Sequence, residues 1–203
     1  MSKDFLNDKR TDALKELGNI GAAHAATALS QMLGHTIQMT VPQVTFVKKT
    51  QIENSEKFKD KTGIAIYTDM YGKIKGKILL FFEYSNAVNL VEILLKREAG
   101  SVQKISEIEE SALKEVGNIL SSAYLNAVSQ ILDGVLLPSI PSISIDTLSG
   151  VLSFFTMEFK GMIQNVLWIE TELRSEKSVI TGDFFLFPHE TSLDVIFNAM
   201  KVD

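Results

Sequence analysis

The segment that begins at Asp12, DALKELGNIGAAHAATALSQML, aligns without a gap to the segment that begins at Ser111, SALKEVGNILSSAYLNAVSQIL, with about half of the paired positions identical. Such a duplication restricts the fold, because each copy must form the same element in an equivalent environment. The similarity continues more weakly. Gly76-Lys77-Ile78-Leu79-Leu80-Phe81-Phe82 followed by Ser85-Asn86-Ala87-Val88 resembles Gly182-Asp183-Phe184-Phe185-Leu186-Phe187 followed by Thr191-Ser192-Leu193-Asp194. Each half reads helix, strands, helix, so the repeats span about 8–97 and 105–201. Glu98 to Lys104, polar and containing Gly100, either joins the halves or is a surface loop inside one domain. With 203 residues, a single domain over 1–203 can bury a sizeable core.

Hydrophobic periodicity predicts two long helices, 8–33 and 107–132. Gly34 stops the first as a C′ glycine. Ser106 and Glu109 open the second as a capping box, and Asp133-Gly134 ends it. Runs rich in Ile, Val, Phe and Thr predict strands at 42–48, 63–70, 73–82, 141–147, 164–173 and 178–187, and shorter helices fit 85–96 and 190–201. Asp146 to Lys160 has no clean period and predicts no element.

On a helical wheel at about 100° per residue, Leu14, Leu17, Gly18, Gly21, Ala25, Ala28, Leu29 and Met32 form one apolar arc, the buried side. Asp12, Glu16, Asn19, Ala23, Thr27 and Ser30 line the opposite side, and Ser111, Glu115, Asn118, Ser122, Asn126 and Ser129 repeat that outward face. The face carries small residues where a solvated helix would carry more Lys, Arg and Glu, so a partner's backbone could come close. Gly18-Asn19 and Gly117-Asn118 each put a glycine in mid-helix, at a cost of roughly 0.5–1 kcal/mol against Ala. The glycines fall on the apolar arc and suit close packing, as of the two long helices against each other. Packing gives Asn19 and Asn118 no purpose.

The formal net charge of −5, without any run of Lys or Arg, gives no electrostatic footprint for nucleic acid or anionic lipid. No apolar stretch reaches the roughly 18–20 residues of a membrane span, and Met1 to Arg10 is polar rather than a signal peptide, so a cytoplasmic protein without a membrane partner is expected. There is no cysteine, which excludes thiolate nucleophiles and cysteine-ligated metal. His24, His35 and His189 show no metal-ligand spacing, and no metal site of the chain's own is expected.

Twenty-two residues separate Asn19 from Pro42, and twenty-two separate Asn118 from Pro141. The full pattern is Asp or Ser, three residues, Glu, two residues, Asn, twenty-two residues, Pro, and it occurs intact in both halves. In this the chain resembles the CheC, CheX and FliY family of response-regulator phosphatases over essentially its whole length. Two intact motifs point to the CheC type; CheX-like chains are shorter with one motif, and FliY-like chains append a flagellar switch domain. The resemblance implies an α+β fold, a duplicated domain with an antiparallel sheet and two long pseudo-symmetric helices that present the motifs outward.

It also implies a function, the accelerated hydrolysis of the aspartyl phosphate on a CheY-type response regulator. Glu16, Asn19, Glu115 and Asn118 would be the catalytic residues. An amide takes up no proton near pH 7, but its carbonyl accepts from a water and its NH₂ donates, so the Asn role is water positioning. Each Glu, one turn earlier, would reach the regulator's active-site Lys. The Mg²⁺ would belong to the regulator, with no cofactor of the chain's own. Asp12, Ser111, Ala23 and Ser122 are candidate docking residues, and Asp12 and Ser111 could alternatively cap the helix start. Pro42 and Pro141 set the beginning of a strand rather than touch substrate. The family also binds the receptor deamidase CheD through a region like Ile143 to Thr147, with Asp146 as the candidate contact. A regulator of CheD with little phosphatase activity is the alternative reading.

Overall fold

A computed structural model describes residues 8–34, 36–158, 165–174 and 179–201. His35, Gln164, Ser178 and the stretch 159–160 therefore lie outside the described residues. The elements are α1 (Asp8–Leu33), β1 (Gln38–Lys48), α2 (Lys49–Glu53), β2 (Thr62–Gly72), β3 (Gly76–Glu83), α3 (Tyr84–Leu94), α4 (Glu107–Leu132), β4 (Leu136–Pro138), β5 (Ser142–Thr147), α5 (Leu148–Glu158), β6 (Asn165–Arg174), β7 (Val179–Pro188) and α6 (Glu190–Ala199). Both long helices match the predicted bounds. Sequence periodicity missed α2, β4 and α5, which are short or lie in the stretch without a period.

The described strands form one antiparallel sheet in the order β1-β6-β7-β3-β2, with β4 and β5 sharing the outer edge of β2. This order is the same from either end. The first long strand of each half pairs with the second long strand of the other, β1 with β6 and β5 with β2, while β3 and β7 pair at the centre. The two halves are interleaved in the sheet, so neither has a complete sheet of its own.

Burial on both faces explains why β3 and β7 read as nearly continuous apolar runs. Ile78, Leu80, Phe82, Phe184 and Leu186 face α1, α3, α4 and α6 in the larger core. Leu79, Phe81, Phe185 and Phe187 face α2, α5 and Phe58 in a smaller, aromatic one. The two central strands differ at Lys77 and Asp183, the residues after Gly76 and Gly182. Lys77 donates to Asp69 at 2.7 Å, and Asp183 accepts from Lys57 at 2.6 Å and from Trp168 Nε1 at 2.8 Å. Burial raises the Asp183 carboxyl above its usual range, with Lys57 opposing.

The apolar arc of α1 is buried apart from Ala28, which is half-buried, and Met32, which is exposed. The mid-helix glycines have a different partner from the one predicted. A Cβ at Gly18 would lie 3.1 Å from Val44 of β1 and 3.5 Å from Ile169 of β6, and a Cβ at Gly117 would collide with Ile66 of β2. Both glycines let a helix approach the sheet. The tight point between α1 and α4 is Gly21, whose Cβ would collide with the Tyr124 ring.

Ser30 and Ser129, predicted to face outward, are half-buried. Ser30 Oγ accepts from Ile37 N–H at 2.9 Å, and Ser129 Oγ accepts from Leu136 N–H at 3.1 Å. Each serine ties the end of its long helix to the residue seven positions on, which fixes where the motif proline falls.

Glu98 to Lys104 is held firmly at its ends. The buried Glu92 carboxylate accepts from Val102 N–H at 3.0 Å, and this bond, followed by one from Gly100, keeps its pKa low. Tyr84 Oη accepts from Ile105 N–H at 3.2 Å. Glu109 then accepts from Ser106 N–H at 2.8 Å, from the Ser106 hydroxyl and from Arg97. The Ser106 contacts, ahead of Arg97, draw its carboxyl down to about 2. A depressed carboxyl stabilises the fold above its unfolded value of 4.5 and loses that contribution as pH falls through about 2. Glu109→Gln is expected to flatten the fall in urea midpoint between pH 5 and 2; an unchanged slope would show that this cap does not titrate with folding.

Candidate active site

The two motif faces emerge on the solvent side of α1 and α4. Asp12, Glu16, Asn19 and Ala23 are exposed on α1; Ser111 and Glu115 are exposed and Asn118 and Ser122 half-buried on α4. Each Glu precedes its Asn by three positions, which puts their Cβ atoms about 5–6 Å apart on one face. Among the described residues, no group of the chain hydrogen-bonds the Asn19 or Asn118 amide, and none pairs with the Glu16 or Glu115 carboxylate. Four groups with strong hydrogen-bonding capacity therefore point outward with no internal partner.

The helix-start alternative for Asp12 and Ser111 fails on position. The helices begin at Asp8 and Glu107, so both residues sit in the second turn. Asp12 meets Lys15 at 3.8 Å in an exposed pair of little energetic weight. Ser111 Oγ donates back to the Glu107 carbonyl at 2.8 Å.

The two prolines are not equivalent in detail. Pro141 immediately precedes β5, as predicted. Pro42 lies inside β1, where the register slips between the pairs Thr40–Glu172 and Gln43–Glu170. The bulge accommodates a residue without an N–H. In the second half the same slip opens the strand altogether, between Met70–Pro138 and Tyr67–Ser142. The interrupted segment forms one wall of an open groove of about 410 Å³ lined by Ser111, Lys114, Glu115, Asn118, Pro138, Ser139, Ile140 and Pro141. The motif proline and the motif Glu and Asn, far apart in sequence, thus meet at one place.

Four lining residues, Lys114, Pro138, Ser139 and Ile140, were missed by sequence reasoning. Lys114 had a signal, since Lys-Glu recurs as Lys15-Glu16, but a lysine is an ordinary residue on a solvated helix. Ile140 had none. Asp146, the candidate CheD contact, is exposed in β5, away from this groove, and accepts from Thr147 N–H at 2.6 Å just before α5. Among the described residues, no group of three or more His, Asp or Glu is arranged to hold a metal ion, and no helix is long and apolar enough to cross a membrane.

The arrangement can orient a water and donate to or accept from a docked group. A profile of the CheC-like family matches residues 10–45 and 108–145, two segments that contain both complete motifs. The chain is 27% identical over 199 residues to the CheY-P phosphatase CheC of Bacillus subtilis, covering 96% of this chain and 95% of that protein. In fold it is similar to Thermotoga maritima FliY, with a TM-score of 0.74, 20% identity, and coverage of 97% of this chain and 98% of the other. It is also similar to a chain of the CheX-CheY-BeF3-Mg+2 complex from Borrelia burgdorferi, with a TM-score of 0.51, 15% identity, and coverage of 84% and 96%.

Proposed function

The chain belongs to the CheC-like family, and from that premise we propose that it accelerates hydrolysis of the aspartyl phosphate of a CheY-type response regulator. The observation that carries this is the pair of outward-facing Glu-x-x-Asn sets without partners among the described residues. In the reaction a water oxygen bonds to phosphorus as the bond to the aspartyl oxygen breaks, leaving the free carboxylate and inorganic phosphate. The transition state is loose, so in-line placement of the water and electrostatic help suffice. Asn19 or Asn118 holds the water; Glu16 or Glu115 accepts from the regulator's Lys and fixes the docking register. Mg²⁺ comes with the regulator, and both partners act in the cytoplasm. On the same reading 1–203 is one domain whose repeats, about 8–97 and 105–201, supply one site each.

The direct test is phosphate release from a phosphorylated CheY-type regulator with Mg²⁺, the purified chain and no CheD. Release faster than the regulator's own is expected; an unchanged rate would sink the hydrolase reading. Glu115→Lys, assayed with Asn19→Ala so that turnover reports the second site alone, is expected to raise the KM for the regulator about tenfold, since like charges would then meet. An unaltered KM would count against the Glu–Lys pairing.

The reading as a CheD-binding regulator draws support from the surroundings of Asp146, where Ile145, Phe154 and Met157 are exposed. Comigration of the chain with purified CheD, lost in Asp146→Lys, is its test. Retention of the complex in that variant would remove Asp146 from the contact.

A further inference from the structure

Ile140 is 91% exposed, more than any other large apolar residue in the described structure. Single exposed apolar side chains are common and carry no message by themselves. This one is held rigidly. Ser139, just before it, donates its N–H to the Asp69 carbonyl at 2.9 Å, and its hydroxyl accepts from Asp69 N–H at 2.9 Å. The Ser139 carbonyl accepts from Thr68 Oγ1 at 2.8 Å. Pro141, just after, restricts Ile140 to an extended backbone. The break between β4 and β5 therefore aims an isoleucine into solvent at the wall of the groove that holds Glu115 and Asn118.

A second exposed isoleucine lies in the same stripe. Ile108, 62% exposed, is three positions before Ser111 on the face that runs through Ser111, Glu115 and Asn118. The motif spacing places Lys9 and Val41 at the matching positions of the first half. Lys9 is charged and Val41 half-buried, so the first site lacks this apolar flank.

We infer that Ile140, aided by Ile108, is a docking contact that the second site offers and the first does not, and that its occupant is the folded regulator domain whose phosphorylated aspartate meets Asn118. This rests on the phosphatase reading and deepens it. The contact is continuous with Glu115 and Asn118 across one groove, so a domain seated on that pair cannot avoid Ile140. It follows that the regulator carries an apolar side chain beside its phosphorylation pocket. Rigid presentation means little conformational entropy is lost on contact. Ile140 binds but takes no part in the chemistry, so it acts on KM and leaves kcat alone.

The full chain is used in two backgrounds, Asn19→Ala, which leaves the second site, and Asn118→Ala, which leaves the first. In the Asn19→Ala background Ile140→Ser is expected to raise KM about tenfold at unchanged kcat, and Ile140→Met to restore most of it. In the Asn118→Ala background Ile140→Ser is expected to leave kcat and KM unchanged. Affinity at the second site is read separately by titrating the regulator carrying BeF₃⁻ and Mg²⁺ onto proteins that also carry Glu16→Lys, which disables docking at the first. Unchanged affinity and KM in the first background, or an equal rise in both, would overturn the contact. Loss of kcat with binding intact would also overturn it, whereas full turnover in the combined Asn19→Ala and Asn118→Ala protein would instead count against the phosphatase reading. A shift from dimer to monomer in sedimentation without a change in KM would assign Ile140 to a second copy of the chain and also overturn the proposal.

Discussion

Asn19→Ala combined with Asn118→Ala is expected to return phosphate release to the regulator's unassisted rate while leaving the melting temperature within a degree or two. The two halves of this expectation have separate physical grounds. Asn19 is exposed and Asn118 half-buried, and neither amide has a partner within the described chain, so truncation strands no buried group and changes stability by about 0.5 kcal/mol or less. In a helix Ala is the better residue. Catalysis, by contrast, rests on a positioned water. If placement is worth about a hundredfold, the amides supply about 2.7 kcal/mol of barrier reduction, and methyl groups supply none of it. Binding of the BeF₃⁻-loaded regulator should survive, because Glu16 and Glu115 remain. Full activity in the double variant would remove the mechanism, and a lowered melting temperature would show that the amides serve the fold instead.

The parts of the molecule legible in the sequence are those whose causes are local. The two long helices were readable to their ends, because Gly34, Ser106, Glu109 and Asp133 sit beside the residues they terminate. The motif faces were readable because helical spacing alone decides which side chains share a side. Ser30 and Ser129 were misjudged because their partners, Ile37 and Leu136, belong to the chain after the helix. The break in the strand at Ser139 depends on Thr68 and Asp69, some seventy residues earlier. Interleaving of the halves is a matter of which distant strands pair, and nothing in a repeat says whether its copies exchange strands. The exposure of Ile140 follows from that break and pairing together, so an isoleucine in a run of Leu, Pro and Ser gave no sign of its position.

Gly117→Ala is expected to destabilise the chain by about 1–2 kcal/mol, whereas Gly18→Ala should be nearly neutral, although both replace the same residue of the same repeat. A Cβ at Gly117 would overlap Ile66 Cγ2, and Ile66 is 1% exposed on β2, held between β3 on one side and β5 on the other. Overpacking of such a site costs about 1–3 kcal/mol, and the helical preference of Ala over Gly recovers only roughly 0.5–1 kcal/mol. At Gly18 the Cβ would lie 3.1 Å from Val44, a half-buried residue on the edge strand β1 that can give by a few tenths of an ångström. Urea midpoints at constant m-value would separate the two; equal losses would mean that the sheet, not the residue facing each glycine, sets the cost. The functional consequence should exceed the stability change. Relief of the overlap lifts α4 from the sheet and carries Asn118, the next residue, with it, and a displacement of about 1 Å can cost a hundredfold where catalysis is placement. In the Asn19→Ala background, where the second site acts alone, Gly117→Ala is therefore expected to lower turnover by more than its loss of stability can explain. Turnover preserved in a folded but weakened protein would confine Gly117 to packing and detach it from the motif it stands beside.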